Sequence, residues 1–269
     1  MNIGIIGLGS MGKMLAEKFA HGSDNVTNKL LVSTRSKEKL TLMPENVGVC
    51  DNNRELAEHS DIVFLCLRPV DMRGVLEEIT PCLKNDSLVV SLNGSISFAQ
   101  LEKLSDRSFA KVIPSVTAEI DRSQTLVCYN NKVTDEYKAA LESLLSVIGD
   151  VVILPESEMG MGSELVSCMP GFIAAMFDVI CSSAGKHTGI SHEQVVQMVL
   201  KTLSATSSLM LEKGMSFNEV VGRVATKGGI TEEGTGVIYD SFPKTADELF
   251  DKTLEKRRIT AEKAEKMFG

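Results

Sequence analysis

Residues 1–154 predict a doubly wound α/β domain, and residues 155–269 predict an all-helical one. Three observations carry that reading. Short runs apolar on both faces alternate with stretches of helical period. A glycine-rich turn follows the first of those runs. After Leu154-Pro155-Glu156-Ser157 the strand signals nearly vanish.

The strands come first. Ile3-Gly4-Ile5-Ile6-Gly7-Leu8 is too short for a helix and ends in glycines. Leu30 to Ser33, Ile62 to Leu67 and Leu88 to Leu92 repeat its character, with weaker runs at Val47 to Val49 and Lys111 to Ile113. Strands apolar on both faces belong to a parallel sheet covered by helices. The covering helices are expected over Met11 to His21, Asn53 to Ser60 and Asp71 to Ile79, where apolar residues recur at three- and four-residue spacing. A helix from about Thr134 to Ile148 and a strand at Val151 to Ile153 complete the domain. Strand and helix alternating in this order form a doubly wound sheet.

The second half reads differently. Phe172, Ile173, Met176, Phe177, Ile180, Cys181 and Ala184 make one wide apolar stripe. From Val195 to Leu211 a second helix is apolar around most of its circumference, so it must be covered on several sides. So few helices cannot easily do that alone, which predicts a subunit interface; a compact monomeric bundle is the competing reading.

Composition bounds the function. With 28 basic and 36 acidic side chains, the formal charge of −8 opposes binding to a nucleic-acid backbone or an anionic membrane. No apolar run in the sequence approaches the ~18–20 residues of a membrane helix. Strand-like residues begin at Asn2, and no signal peptide is expected. Six scattered cysteines without CxxC spacing suit buried free thiols in a reducing compartment. The expectation is a soluble cytoplasmic protein. None of the four histidines has metal-ligand spacing, and the tail around Lys256-Arg257-Arg258 reads as the charged face of a final helix.

Gly7-Leu8-Gly9-Ser10-Met11-Gly12 matches GxGxxG between an apolar strand and an amphipathic helix. In that context Gly7 permits the turn, Gly9 admits a pyrophosphate, and Gly12 allows close packing. Helix amides then face the phosphates. This is the fingerprint of a Rossmann-type dinucleotide site, with a plain tight turn as the alternative. NAD-binding domains place a carboxylate ~20 residues beyond the glycines, on the ribose hydroxyl. Here Ser33-Thr34-Arg35-Ser36-Lys37 stands instead, with no carboxylate among those residues. Hydroxyls beside a guanidinium suit a 2′-phosphate, so NADP(H) is the expected cofactor. A solvated basic turn is the bland alternative.

With these residues in hand, the chain resembles the pyrroline-5-carboxylate reductase family. Asn53 and the segment His59 to Pro69 are similar to the family's stretch ending Ala-Val-Lys-Pro, with Arg68 at the lysine. Ser91-Leu92-Asn93-Gly94-Ser95-Ile96-Ser97 resembles its Ser-x-Ala-Ala-Gly-Ile-Ser turn, and Lys186-His187-Thr188-Gly189-Ile190 its Lys-x-Gly-Leu. Val224 to Thr231 resembles the signature Val-x-Ser-Pro-Gly-Gly-x-Thr. Three departures stand out. Ile113-Pro114-Ser115-Val116-Thr117 replaces Met-Pro-Asn-Thr-Pro, Ser167 to Gly171 replaces Gly-Ser-Gly-Pro-Ala, and Lys227 replaces the signature proline. Reductase-like proteins linked to late competence have similar loops.

The resemblance implies a C-terminal dimerisation domain, a homodimer or larger ring, and NADPH reduction of 1-pyrroline-5-carboxylate to proline. Gly7, Leu8, Gly9, Ser10, Met11, Gly12 and Ser33 to Ser36 (including Thr34 and Arg35) would hold the dinucleotide. Asn53 would meet the adenosine ribose, and Leu67, Arg68 and Pro69 the nicotinamide side. Lys227, Gly228, Gly229 and Ser115 would contact substrate, and Thr231 would relay the proton to the ring nitrogen. Lys227 would attract the substrate carboxylate while disfavouring a protonated imine. Thr231 as a plain helix cap is the structural alternative. A weakly catalytic or non-catalytic dinucleotide-binding homologue remains the second functional reading. A third is an oxidoreductase that uses a deazaflavin or reduces a different small acid.

Overall fold

The protein is described here by a computed structural model, which covers residues 1–22 and 29–268. Its first half runs β1 (Asn2–Ile6), α1 (Ser10–Gly22), β2 (Lys29–Ser33), β3 (Val47–Val49), α2 (Asn53–His59), β4 (Ile62–Leu65) and α3 (Pro69–Ile79). It continues with β5 (Leu88–Ser91), α4 (Phe98–Leu104), β6 (Ser108–Ile113), β7 (Ser123–Tyr129), α5 (Asp135–Leu145) and β8 (Gly149–Ile153). The strands form one sheet in the order β3-β2-β1-β4-β5-β6-β7-β8. From β3 to β6 every neighbour is parallel.

Alternation along each strand feeds two apolar layers, as the period of two requires. Ile3, Ile5, Phe64, Val90 and Val112 face one way and pack with Leu15 and Phe19 of α1 and Leu141 and Leu145 of α5. Phe19 and Phe64 stack at 5.5 Å in a tilted pair. Ile6, Val63, Leu65 and Val89 face the other way, onto Leu56 of α2, Leu76 of α3 and Leu101 of α4. Both faces are covered, as the doubly wound reading expected.

Two elements were not foreseen. β7 pairs antiparallel with β6 and then parallel with β8, so the sheet is mixed. The chain reverses before β7 through a 3₁₀ turn, Val116–Ile120, which ends on Asp121 with φ of 59°. α4 starts at a capping box: the Ser97 hydroxyl accepts from the Gln100 amide, and the Gln100 side chain accepts from the Ser97 amide at 2.7 Å.

The helical remainder comprises α6 (Met159–Ser163), a π-helical turn at Glu164–Cys168, α7 (Met169–Ala184), α8 (His192–Lys213), α9 (Phe217–Val224) and α10 (Ile230–Phe268). Two compact units result: residues 1–170 with 254–269, and residues 171–253. The end of α10 therefore belongs with the sheet. Arg257 donates to Glu164 at 2.7 Å and to Ser163 at 3.1 Å, and Ala264 is buried in the second apolar layer. The tail was expected as the charged face of a final helix; Arg257 leaves that face to pair with Glu164. Arg258 does stay outside, paired with Glu255 and Glu262.

The unit of residues 171–253 buries little of its own apolar surface. Cys181 is the buried residue of α7 and Val195 that of α8, and α9 has none. Val179, Met198, Leu211 and Val237 stand 59–84% exposed. The expectation that no stretch is long and apolar enough for a membrane also needs correcting. Helical geometry runs on from Glu156 to Ala184, and an 18-residue window within it reaches mean hydropathy 1.8, which passes that test by length and composition. The sequence disguised it because Gly160, Gly162, Ser163 and Pro170 interrupt the apolar runs without ending the helix.

Candidate functional site

At the carboxyl end of β1 the chain makes a turn that only glycines fit. Gly7 has φ of +95°, and its amide donates to the Ser33 carbonyl at 2.9 Å. A Cβ at Gly7 would stand 2.6 Å from the Cys66 carbonyl oxygen, and one at Gly12 would stand 2.0 Å from the Gly7 carbonyl oxygen. Gly12 thus lets α1 close onto the turn. Gly9 is different: nothing lies within 4 Å of where its Cβ would be, and the residue lines an open cleft. The first turn of α1 carries no acidic side chain, so its positive end is not neutralised from within.

The cleft measures ≈ 790 Å³ and lies against the carboxyl ends of β1, β2 and β4. Gly7, Leu8, Gly9, Ser33, Thr34, Arg35, Ser36, Asn53, Leu67 and Arg68 all line it. Ser10, Met11, Gly12 and Pro69 are not among the residues that line it. Met11 packs against the first apolar layer, and Pro69 opens α3.

Polar contacts order the wall beyond β2. The Ser33 hydroxyl donates to the Asn53 side-chain oxygen at 2.9 Å, and the Asn53 amide donates to Glu78 at 3.0 Å. Thr34 accepts from the Ser36 backbone amide, and Lys37 donates to the Asp51 carbonyl at 3.0 Å. Arg35 is 81% exposed and reaches Asp71 at 3.3 Å. Arg68 meets the other oxygen of Asp71 at 3.0 Å. The Arg68 hydrogen bond, with the Arg35 charge beside it, holds the Asp71 carboxyl below the usual carboxylate range. A carboxylate therefore does stand by Arg35. It comes from α3, which local sequence around β2 could not reveal. At the back of the cleft, burial pushes the Cys66 thiol up to about 12, which keeps it protonated and unreactive at neutral pH.

The remaining expected residues lie elsewhere. Ser115 is buried before the 3₁₀ turn; its amide donates to the Ser123 hydroxyl at 3.0 Å, and its own hydroxyl has no partner among the described residues. Lys227, Gly228, Gly229 and Thr231 belong to the unit of residues 171–253, and Thr231 is exposed in the first turn of α10. Gly228 takes φ of +70°. Its amide donates to the Glu232 carboxylate at 2.6 Å, and the Gly229 amide donates to the Thr226 carbonyl at 2.8 Å. Both amides expected to cradle a carboxylate are therefore engaged within the chain.

The cleft fits a phosphorylated dinucleotide. Gly9 keeps clear the space that a Cβ would fill, α1 offers uncompensated amides, and Arg35 with Ser33, Thr34 and Ser36 offers forked and hydroxyl donors. Comparison with known proteins agrees. Residues 2–94 match the family described as NADP oxidoreductase coenzyme F420-dependent, and residues 156–259 match pyrroline-5-carboxylate reductase dimerisation. Pyrroline-5-carboxylate reductase 3 of Bacillus subtilis is 34% identical over 267 residues, covering 98% of each chain. ComE operon protein 4 of the same species is 24% identical over 271 residues, covering 100% of this chain and 99% of that one. A solved Plasmodium falciparum pyrroline carboxylate reductase with NADP bound superposes with a TM-score of 0.80 at 22% identity. It covers 100% of this chain and 98% of its own, a likeness of fold.

Proposed function

The chain belongs to the pyrroline-5-carboxylate reductase family, and on that premise we propose that it reduces a cyclic imine with NADPH, converting 1-pyrroline-5-carboxylate to proline. The observation that carries this reading is the Gly9 cleft with Arg35 at its mouth. Gly7 to Gly12 and the start of α1 would hold the pyrophosphate, and Ser33 to Ser36 the 2′-phosphate. Asn53 would hold the adenosine ribose, and Leu67 to Pro69 would border the nicotinamide.

When bound, the cofactor supplies the hydride that adds to the imine carbon. The side chains then have modest work: they orient the imine, exclude water and deliver one proton to nitrogen. Thr231 is the proposed proton relay, with its exposed hydroxyl free to approach the ring nitrogen. Lys227 attracts the substrate carboxylate, which the Gly228 amide receives once Glu232 swings away and the Gly229 amide once it leaves the Thr226 carbonyl. The Ser115 hydroxyl, buried without a partner among the described residues, is a proposed further polar contact.

The second reading is a dinucleotide-binding homologue with little or no turnover. One observation favours it: the self-satisfied Gly228-Gly229 turn. Following NADPH absorbance with 1-pyrroline-5-carboxylate separates them. Turnover that Thr231→Ala abolishes supports the reductase; tight NADPH binding without turnover supports the second reading. The proposed assembly is a homodimer or larger homo-oligomer, which would cover the exposed apolar helices, the long Glu156–Ala184 stretch included. Six free thiols suit the cytoplasm, and the net charge of −8 argues against nucleic-acid and membrane partners.

A further inference from the structure

Asp71 serves two arginines at once. Its Oδ2 accepts from Arg68 Nε at 3.0 Å, and its Oδ1 accepts from Arg35 Nη2 at 3.3 Å. The side chain is 18% exposed, whereas Arg35 and Arg68 are 81% and 73% exposed. The two contacts are unequal. Arg68 lies at the N-cap of the helix that carries Asp71, so that pair is local and short. Arg35 reaches from the end of β2 with a single long contact, and its other donors are uncommitted among the described contacts. Strand order places β1 between β2 and β4, so the Arg35–Asp71 pair joins the wall after β2 to the wall after β4. All three side chains line the cleft.

We propose that Asp71 sets the preference between phosphorylated and unphosphorylated dinucleotides by competing with the 2′-phosphate for Arg35. The proposal rests on reading the cleft as an NADPH site and goes beyond it. Arg35 gives the carboxylate one long hydrogen bond but can give a phosphate two forked ones, so exchange favours the phosphate. A dinucleotide without that phosphate has nothing to exchange, and Arg35 stays on Asp71. Asp71 is thus a positioning residue that acts through Arg35 and restrains NADPH affinity.

The test is a double-variant cycle on the full chain. Calorimetric dissociation constants for NADP⁺ and NAD⁺ are measured for the parent, Asp71→Asn, Arg35→Ala and the double variant. Asp71→Asn should tighten NADP⁺ roughly two- to fivefold, the scale of an exposed ion pair, and NAD⁺ less. On the Arg35→Ala background that selective gain should vanish, although Arg68 is released there too. Equal gains for both dinucleotides, weaker NADP⁺ binding, or a selective gain that survives Arg35→Ala would each overturn the role of Asp71. Failure of the underlying reading looks different: the parent binds neither dinucleotide, or Arg35→Ala leaves its preference intact.

Discussion

A methyl group means opposite things at Gly9 and Gly12, although both belong to one turn. At Gly12 it would strike the Gly7 carbonyl oxygen; at Gly9 it meets no protein atom. Gly12→Ala should therefore destabilise the fold by ~1–3 kcal/mol, the scale of overpacking. Gly9→Val should leave the melting temperature almost unchanged and abolish dinucleotide binding. Thermal melts paired with NADPH titrations check both, and a Gly9 variant that binds normally would refute the pyrophosphate assignment. Arg35→Ala should weaken NADPH more than NADH by ~1–3 kcal/mol, since a charge-assisted contact is lost only for NADPH. These residues were legible because the turn and the end of β2 are local sequence features. Asp71 was not: it stands 36 residues from Arg35, and only the parallel crossovers bring the two together.

At the scale of elements, the first strand is tied to the fourth at its start as well as along its length. Asp61 accepts from the Asn2 amide at 2.6 Å and pairs with Lys84 at 2.6 Å. Burial alone would raise its pKa, but the Lys84 and Asn2 hydrogen bonds outweigh that and hold it below the ordinary value. A carboxyl whose folded pKa is depressed stabilises the fold above its unfolded value, and that contribution is lost as pH falls through the folded one. Asp61→Asn should thus lower the unfolding free energy at neutral pH by less than about 1 kcal/mol, read from urea melts, because Lys84 is partly exposed. The gap between variant and parent should close as pH is stepped down below the ordinary carboxylate range. A gap that stays constant with pH would remove the ion pair from the account. β1, β2, β4 and β5 were legible as doubly apolar runs, whereas β7 opens Ser-Gln-Thr and its apolar run is confined to Leu126–Tyr129. α4 carries a readable Ser-x-x-Gln box at its start, and Phe98, Leu101 and Leu104 recur at three-residue spacing, so its signal was in the sequence though short.

For the whole molecule, the helices of residues 171–253 make sense only with company. Val179 is 68% exposed and Ile238 is 58% exposed, positions where a charge would be harmless on a true surface. Val179→Glu and Ile238→Glu should instead shift sedimentation from dimer or larger toward monomer, and a parent that is monomeric at micromolar concentration would refute the assembly. The apolar stripe is what led the sequence to predict an interface, while the full length of the helix that carries it was hidden by Gly160 and Gly162. One consequence reaches into handling of the protein. If helices that bury so little within their own chain take their core from a second copy, as proposed, dilution should act on them as a denaturant does. Their melting temperature should climb with protein concentration, while that of the sheet stays put.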